Sequence, residues 1–236
     1  MIEVGGLTVR YGGVTSLDGM DLTFEKGTCG LIGPNGAGKT TFFNVLSGFV
    51  KPAAGTVRAF GDDLLALPHF KRARWGVRRT FQTEQAISDL SVYDNVAMIH
   101  SPLRGSARRA DVLEAIEFTG LPDPYATVSS LTAGQRRLVE VARTLAGKPR
   151  LILLDEPAAG LPDEETAHLS SVIRKIPEHA GALTILVDHD MSLVSAVCET
   201  TAVLDFGKLI ASGPTAAVLR DETVMRAYLG TAEVET

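Results

Sequence analysis

One glycine-rich segment gives the first indication of the fold and chemistry of this chain: Gly33-Pro34-Asn35-Gly36-Ala37-Gly38-Lys39-Thr40. It matches the pattern GxxxxGK[ST] at every required position, which happens by chance in about one chain in a hundred of this length. An apolar run at residues 29–32 precedes it. A helix is predicted over residues 40–47, ending at Gly48 as a helix cap. The sequence therefore predicts a strand, a phosphate-binding loop and a helix in succession.

The residue types in this loop suit a phosphate chain. Glycines let the backbone wrap the phosphates with its N–H groups pointing inward, and the following helix N-terminus adds partial positive charge. We expect Lys39 to reach the β- and γ-phosphates of a nucleotide and the Thr40 hydroxyl to ligate Mg²⁺. The predicted nucleotide-binding residues of this region are Gly33, Pro34, Asn35, Gly36, Ala37, Gly38, Lys39, Thr40 and Thr41.

A second element supplies acidic groups. The apolar run at residues 151–154 ends in Asp155, and Glu156 follows directly. A carboxylate at the end of a buried strand can hold Mg²⁺ through its water shell, which is the predicted role of Asp155. The next carboxylate can polarise an attacking water, so Glu156 is the predicted general base. Alone, a strand ending in an acid is weak evidence of a site, and the phosphate-binding loop strengthens it.

Strand and helix patterns alternate along the chain. Short apolar runs bounded by turn residues predict strands buried on both faces, as in a parallel sheet, at 29–32, 151–154, 183–187 and 202–204. Met20, Leu22 and Phe24 alternate with polar residues, which predicts a small antiparallel sheet beside the core. An apolar stripe over residues 136–146 predicts a helix packed on the core. The fold class expected is therefore α/β.

Residues 83–135 differ from the rest, since they contain no buried-strand run and residues 111–120 read as a helix ending at a glycine. We therefore expect a single domain over 1–236. A nucleotide-binding α/β core of the P-loop NTPase (RecA-like) kind spans 1–82 and 136–236, with the flanking antiparallel β-sheet, and 83–135 form an inserted helical subdomain.

Composition excludes several classes of protein. The 236 residues are 45% hydrophobic with a net charge of −5, which argues against a general nucleic-acid binder. No signal peptide and no apolar run of membrane-spanning length is evident, so a cytoplasmic location is expected. Cys29 and Cys198 lie in apolar sequence outside any metal-binding spacing, which predicts buried reduced thiols.

Five cations stand out against this acidic balance: Lys71, Arg72, Arg74, Arg78 and Arg79. Such a cluster is most often a solvated helix face. The other interpretation is a contact surface for a partner or for lipid headgroups. The sequence leaves both open.

Three further features resemble the ABC ATPase family. Leu131-Thr132-Ala133-Gly134-Gln135 is similar to the family's LSGGQ signature, and a predicted amphipathic helix and the acidic strand follow it. Gln82, in Arg79-Thr80-Phe81-Gln82, resembles the Q-loop glutamine, and His189 resembles the switch histidine. A lone Gln or His is usually structural, but here each falls in the family's order, and the resemblance covers nearly the whole chain.

The resemblance implies roles for these positions. Tyr11 would stack on adenine, although an isolated tyrosine more often serves in packing. Gln82 would sense Mg²⁺ and the γ-phosphate, together with Thr40 and Asp155, and His189 would bind the γ-phosphate and position the water. The signature residues Thr132, Gly134 and Gln135 would act on ATP bound by a second ATP-binding subunit, in a homo- or heterodimer.

The chain departs from the family pattern in the signature and in the turn after Glu156. In the signature, Thr132 replaces the serine and keeps its hydroxyl. Ala133 replaces the first glycine of the signature, although the second glycine is kept as Gly134. After Glu156 comes Pro157-Ala158-Ala159-Gly160-Leu161-Pro162, where the family usually has Asp or Asn in place of Pro162. The change at Pro162 puts communication between the two sites of a dimer in question.

Two functions of different kinds compete. One is the ATP-hydrolysing motor of an ABC transporter, bound to integral membrane permease subunits at the inner face of the cell membrane. The other is a soluble ABC ATPase acting on nucleic acid, which the single acidic cassette disfavours. A P-loop kinase or GTPase is excluded because no NKxD motif is present, and Asp205-Phe206-Gly207 reads as a strand end and turn rather than as a kinase motif.

Local matches within the transporter class favour importers of branched-chain amino acids or related amides or urea. They are Arg79-Thr80-Phe81-Gln82, Glu156-Pro157-Ala158-Ala159-Gly160-Leu161, His189-Asp190-Met191 and Arg226-Ala227-Tyr228-Leu229-Gly230. The lipopolysaccharide-export ATPase shares some of these matches and stays an alternative.

Overall fold

The computed structural model describes residues 1–98 and 109–232, in which the strands form two sheets. The strands are β1 Ile2–Tyr11, β2 Val14–Phe24, β3 Thr28–Ile32, β4 Ala54–Ala59, β5 Asp62–Asp63, β6 Val77–Arg79, β7 Leu151–Asp155, β8 Leu183–Val187, β9 Thr200–Asp205 and β10 Lys208–Pro214. One sheet has the order β2-β1-β4-β5 and the other the order β10-β9-β3-β8-β7-β6.

The larger sheet forms the centre of the molecule. Its strands β9, β3, β8, β7 and β6 are parallel, and β10 is antiparallel to β9 at one edge. All five residues of β3, β7 and β8 are buried. In β7, Leu151 and Leu153 belong to one hydrophobic cluster, and Ile152 and Leu154 to the other, so the strand is covered on both faces. The parallel sheet predicted from the four apolar runs is confirmed.

Strand β6 has no counterpart in the sequence-based predictions. It is three residues long, Val77-Arg78-Arg79, and pairs with β7 at the edge of the sheet. Two arginines in three residues hide it from any search for apolar runs.

The smaller sheet is antiparallel throughout, as predicted. Burial in β2 alternates at its carboxyl end, with Met20, Leu22 and Phe24 buried and the residues between them exposed. The same hydrophobic cluster contains these side chains, Phe42 and Phe43 of the first helix, and one face of the larger sheet. The antiparallel sheet therefore packs over that helix.

The helices are α1 Lys39–Ser47, α2 His69–Trp75, α3 Val92–Ala97, α4 Arg109–Phe118, α5 Ala133–Leu145, α6 Asp163–Ala180, α7 Met191–Val197, α8 Thr215–Val218 and α9 Glu222–Ala232. The helix predicted over 40–47 is α1, and Gly48 caps it at a φ of +82°. The helix predicted over 111–120 is α4, after which Gly120 has a φ of +74°. The helix predicted over 136–146 begins three residues earlier, because a capping box fixes its start at Thr132.

The segment predicted as a helical insertion is described only in part, since residues 99–108 lie outside the described ranges. Its described residues hold α3, α4, a 3₁₀ turn at Val128–Ser130 and one isolated bridge between Ser91 and Thr127. Apolar faces of α3, α4 and α5 share one hydrophobic cluster. The division into core and insertion stays a prediction.

Three of the five clustered cations are internal, contrary to both interpretations of the cluster. The guanidinium of Arg72, 5% exposed, donates to the carbonyls of Val45 and Leu46 and, at 2.7 Å, of Leu67. Arg72 thus supplies a donor for the Leu46 carbonyl at the end of α1. It adds a second donor to the Val45 carbonyl, which also accepts from the N–H of Gly48. Arg78 is also buried, and Arg79 forms an internal ion pair.

Two smaller predictions are also settled. Cys29 and Cys198 are both buried and free, and burial raises the pKa of each thiol. The turn at Phe206 and Gly207 follows β9 directly, which confirms that this segment ends a strand. Within the described ranges, no helix has both the length and the apolar character needed to cross a bilayer.

The hydrogen bonds of Arg72 predict a stability effect. Replacing it in an Arg72→Met variant should lower the free energy of unfolding by about 2–4 kcal/mol, because it removes charge-assisted bonds and strands buried carbonyls. Denaturant unfolding measures the change. Arg74→Met, on the exposed side of the same helix, is the control and should change stability by less than about 0.5 kcal/mol. Equal losses in the two variants would contradict the capping role.

Candidate nucleotide-binding site

The glycine-rich loop connects the end of β3 to the start of α1, as predicted. Its glycines are required by backbone geometry at two points. Gly33 has a φ of +148°, and a Cβ there would lie 2.1 Å from the carbonyl oxygen of Leu204. Gly38 has a φ of +107°, and its Cβ would lie 2.7 Å from the carbonyl oxygen of Ser16. The loop therefore packs against two neighbouring chain segments in a way that no side chain permits.

Lys39 is buried beneath this loop, with a side chain that donates to two loop carbonyls. Its Nζ lies 2.6 Å from the oxygen of Gly33 and 2.9 Å from that of Pro34. Burial lowers the pKa of Lys39, while the negative charges of Glu156 and Asp155 act in the opposite direction. Both predicted acidic groups therefore lie close enough to the ammonium to interact with it. The loop, the ammonium and the two carboxylates together fit a phosphate chain and a divalent cation.

The two threonines at the start of α1 differ in their surroundings. Thr40 is exposed, and Thr41 Oγ1 lies 2.8 Å from Ser16 Oγ of β2. Thr41 therefore ties the loop to the antiparallel sheet, a contact that the sequence did not predict.

Asp155 ends β7, and its carboxylate is held by an arginine from the neighbouring strand. Arg79 Nη2 lies 2.9 Å from Asp155 Oδ2, and both side chains are 7% exposed. The backbone N–H of Asp155 donates to Thr80 Oγ1 at 3.0 Å. From the sequence, Arg79 was assigned to the cation cluster and, with Thr80, to the segment before Gln82, and neither residue was linked to Asp155. Strand β6 was not predicted, so the burial of Arg79, and with it the need for a partner, is visible only in the structure.

Glu156 adopts a backbone conformation that is unusual for its type, with a φ of +46°. Its N–H donates to the carbonyl of Val187 at 2.8 Å, which fixes the turn after β7 to the end of β8. Gln82 Nε2 donates to Glu156 Oε2 at 2.8 Å. The structure thus brings together the predicted general base and the predicted Q-loop glutamine. A positive φ costs of order 1 kcal/mol in a non-glycine residue, and such strain is concentrated at functional sites.

His189 follows β8 and is exposed, with 71% of its side chain accessible. Its Nδ1 lies 3.8 Å from Oδ1 of Asp188, a carboxylate that is 1% exposed. Burial raises the pKa of Asp188, and hydrogen bonds from the backbone of Asp190 and the charge of His189 oppose the rise. Asp190 in turn caps α7 by accepting from the N–H groups of Ser192 and Leu193. The imidazole therefore projects from a rigid turn.

The signature residues begin α5, the helix that follows the 3₁₀ turn. Thr132 Oγ1 accepts from the N–H of Gln135 at 3.3 Å, and Gln135 Oε1 accepts from the N–H of Thr132 at 3.0 Å. The N–H of Gly134 donates to Glu165 Oε2 of α6 at 2.9 Å. A Cβ on Gly134 would lie 2.8 Å from the side chain of Glu165, so the glycine permits this contact.

The sequence model of the ABC transporter family matches residues 17–159 of the chain, which cover both acidic groups, the loop and the signature. This chain belongs to the ABC transporter family. A second family model, the branched-chain amino acid ATP-binding cassette transporter, matches residues 208–234. The predicted ATPase of the ABC transporter type is confirmed, and members of this family bind and hydrolyse ATP.

Curated relatives match the cassette over almost its whole length. The high-affinity branched-chain amino acid transport ATP-binding protein BraF of Pseudomonas aeruginosa is 36% identical, and the match covers 98% of both chains. LivG of Escherichia coli, described in the same words, is 35% identical over the same shares. The lipopolysaccharide export system ATP-binding protein LptB of Escherichia coli is 38% identical and covers 95% of both.

Solved structures agree with the fold of the cassette. The crystal structure of the ADP conformation of MJ1267, an ATP-binding cassette of an ABC transporter, has a TM-score of 0.88 at 25% identity and covers 98% of both chains. A nucleotide-free ATP-binding cassette from an ABC transporter has a TM-score of 0.85 and covers 97% of this chain. The predicted fold, an α/β P-loop core with an antiparallel sheet and helices, is confirmed.

Two further residues singled out in the sequence, Tyr11 and Pro162, lie at or next to the ends of regular elements. Tyr11 ends β1 beside the hairpin to Val14 and is 48% exposed, so its ring is accessible as a stacking surface. Pro162 occupies the N-cap position directly before α6, has a φ of −62° and offers no side-chain cap, and three acidic residues follow it in the first turn. One of these is Glu165, whose contact with the signature glycine was not expected from the sequence.

Proposed function

We propose that the cassette binds ATP with Mg²⁺ at the glycine-rich loop and hydrolyses it to power a membrane importer of the branched-chain amino acid type. The observation that carries the proposal is the hydrogen bond between Gln82 and Glu156, formed beside the buried ammonium of Lys39. A phosphate-binding cation, a base and a polar group that orients the base thus meet at one edge of the parallel sheet.

Thr40, Asp155 and Gln82 are the residues that would hold Mg²⁺. Oxygen donors from a hydroxyl, a carboxylate and an amide suit this hard cation. When bound, Mg²⁺ neutralises charge on the phosphates and helps to align them. Lys39 supplies a second positive charge and, in binding phosphates, exchanges its bonds to the loop carbonyls for bonds to the nucleotide.

Glu156 is the group that would take a proton from the attacking water. Its carboxylate is oriented by Gln82, and its backbone is fixed to β8 by the bond to Val187. His189, exposed on the turn after β8, would donate to the γ-phosphate and position the water. Positioning and charge stabilisation account for most of the catalysis of phosphoryl transfer, so this rigid arrangement suits the reaction.

Replacing the base without changing its size gives a direct test. Glu156→Gln should leave the dissociation constant for ATP within about twofold and lower turnover by at least about a hundredfold, since the general base is lost. Nucleotide binding by fluorescence and phosphate release measure the two quantities. Hydrolysis at the wild-type rate in this variant would refute the assignment of Glu156.

A second cassette would complete the site. Thr132, Gly134 and Gln135 lie at the start of α5, where a helix N-terminus attracts an anion. MJ0796, a bacterial ABC transporter cassette, has the same fold with a TM-score of 0.79 at 24% identity, and its solved structures are described as dimeric. We propose that two copies, or this chain and a related one, enclose two ATP molecules between loop and signature.

In the described structure the signature groups are already engaged within the subunit. Thr132 and Gln135 bond to each other, and Gly134 donates to the carboxylate of Glu165. A γ-phosphate that approaches the same N–H meets this negative charge. Glu165 must therefore give up or share its contact when ATP is enclosed.

Neutralising that carboxylate should favour the closed dimer. In a Glu156→Gln background, Glu165→Gln should lower the ATP concentration for half-maximal dimerisation about two- to fivefold. This factor corresponds to about 0.3–1 kcal/mol, the interaction energy of an anion with a helix N-terminus. Size-exclusion chromatography across an ATP titration measures it.

Glu164→Gln is the matched control, since it removes the same charge from the same first turn of α6, where Glu164 is exposed and, among the described residues, has no hydrogen bond or ion pair to the signature. It should leave the titration unchanged. A weaker dimer in Glu165→Gln would contradict competition between Glu165 and the phosphate.

The membrane subunits would dock in a groove beside the site. This groove of about 420 Å³ lies between α1, α2, β6 and α5, and its lining is mainly apolar; it includes Phe49, His69, Ala73, Phe81 and Met98. Phe49 is 60% exposed, and its ring lies near those of His69 and Phe81. Exposed aromatic side chains around an apolar groove suit a helix from a permease subunit.

Two further parts of the proposal concern location and solute. Binding to permease subunits would place the cassette at the inner face of the cell membrane, where ATP is available. The match of residues 208–234 to the branched-chain amino acid cassette model supports the solute class. BraF and LivG, which are named as branched-chain amino acid transport proteins, match 98% of the chain and support it too.

A charge placed in the groove tests docking. Phe49→Asp should reduce the membrane subunits that purify with the tagged cassette from detergent-solubilised cells by at least about tenfold, because burying an unpaired carboxylate costs more than 1.4 kcal/mol. Met225→Asp, at an exposed methionine of α9, should leave the yield unchanged. Quantitative mass spectrometry identifies the subunits, and ATPase activity of the isolated variants checks that the site is intact. Undiminished recovery with Phe49→Asp would refute this docking site.

A further inference from the structure

Arg79 joins three elements of the cassette through one side chain. Its Nη2 donates to Asp155 Oδ2 of β7 at 2.9 Å. Its Nη1 donates to Asn44 Oδ1 of α1 at 2.7 Å and lies 3.4 Å from Ser47 Oγ of the same helix. Arg79 itself ends β6, the short edge strand. The guanidinium therefore spans the gap between the P-loop helix and the strand that carries the acidic groups.

The helical position of Asn44 makes this link relevant to the metal. Thr40 and Asn44 are four residues apart in α1, so they lie on the same face of the helix, one turn from each other. Thr40 of α1 and Asp155 of β7 are two of the three residues proposed to hold Mg²⁺. Arg79 thus links α1 to β7 through Asn44 and Asp155. A bound Mg²⁺ would link the same helix and strand one helical turn away, through Thr40 and Asp155.

The guanidinium has little freedom to adopt another position. The side chain is 7% exposed, and its charged carbon lies 5.4 Å from the centre of the Phe43 ring and 5.1 Å from that of Phe81. Both rings are within the range in which cation–π attraction operates. A planar group held by hydrogen bonds at its ends and by rings beside it fixes the plane of the carboxylate that it bonds.

We propose that Arg79 is a positioning residue for ATP hydrolysis: it sets the orientation of the Asp155 carboxylate and its distance from Thr40, and so preorganises the Mg²⁺ site before the cation arrives. The inference rests on the proposed function in one respect, that Asp155 is the carboxylate that holds Mg²⁺. Arg79 touches neither nucleotide nor cation in this account and acts through Asp155 alone.

The test uses a substitution that keeps the charge. Arg79→Lys retains a cation beside Asp155, but one ammonium cannot reproduce the planar two-ended link to Asn44 and Asp155. The affinity for Mn²⁺ in the presence of ATP, read from the free Mn²⁺ signal in electron paramagnetic resonance, should fall about tenfold, as is typical when a partner of a metal ligand is lost. ATP binding in EDTA should stay within twofold of wild type.

Asn44→Ala removes the anchor on α1 and leaves the ion pair in place. It should weaken Mn²⁺ binding about threefold, in the same direction as Arg79→Lys. Arg150→Lys is the matched control: this arginine also pairs with a carboxylate, that of Asp62, and lies beside two rings, those of Phe60 and Trp75, but it precedes the start of β7 rather than facing Asp155 at its end. It should leave Mn²⁺ binding unchanged.

The possible results separate this inference from the proposed function. Asp155→Asn should abolish most of the ATP-dependent Mn²⁺ binding, and if it does not, the assignment of Asp155 is what fails. If Asp155→Asn has its effect while Arg79→Lys and Asn44→Ala bind Mn²⁺ as wild type does, the positioning role of Arg79 is overturned. Should Arg79→Lys unfold, as thermal melting would show, the folded Asn44→Ala variant decides alone.

Discussion

The nucleotide site of this cassette depends on the hydrogen-bonded register of its parallel strands. Asp155 is opposite Val187 in the pairing of β7 with β8, and the N–H of Glu156 continues the ladder by donating to the Val187 carbonyl. Arg79 is opposite Leu153 in the pairing of β6 with β7. Because parallel strands end at the same edge of the sheet, this register brings the loop after β3, both acids, Gln82 and His189 to one edge. A shift of one residue in β7 would move the acids to the wrong faces.

The sequence predicts those parts of the site that are formed by neighbouring residues, and it does not predict contacts between residues far apart in the chain. The loop and the acidic strand each consist of consecutive residues, so their positions and their helix or strand context were predicted correctly. The capping box at Thr132 and Gln135 is just as local but was not recognised, so the start of α5 was predicted three residues late. Arg72, Arg79 and Glu165 were missed because their partners lie far away along the chain, at Leu46, Asp155 and Gly134. A charged residue that is buried against a distant partner has the same local sequence as one on the surface. The cluster of cations from Lys71 to Arg79 was misread for this reason.

Helix α5 connects two parts of the molecule that sequence motifs treat separately. The signature lies at its N-terminus, and side chains from its later turns form hydrogen bonds with the backbone of the segment after Gln82. Glu140 Oε1 accepts from the N–H of Gln85 at 2.6 Å, and Arg143 donates to the carbonyl of the same residue at 2.6 Å. Arg137 is bound to Glu140 at 3.0 Å and completes this contact. Any shift of the Q-loop segment is therefore transmitted to the helix that presents the signature, since both backbone groups of Gln85 are attached to it.

Pro162, directly before α6, restrains the turn after Glu156 by the stiffness of the backbone and not by a side-chain hydrogen bond. An asparagine or aspartate at the start of a helix caps it with a side-chain hydrogen bond, which other groups can displace. Pro162 has no such bond, but its ring fixes φ near the observed −62° and so removes conformations from the unfolded chain. This restraint is entropic, so its contribution to the free energy of unfolding is proportional to the absolute temperature. The stiffness of the chain thus keeps the junction between the acidic turn and α6 in place. A nucleotide or a partner could displace a capping hydrogen bond, but it cannot displace this restraint.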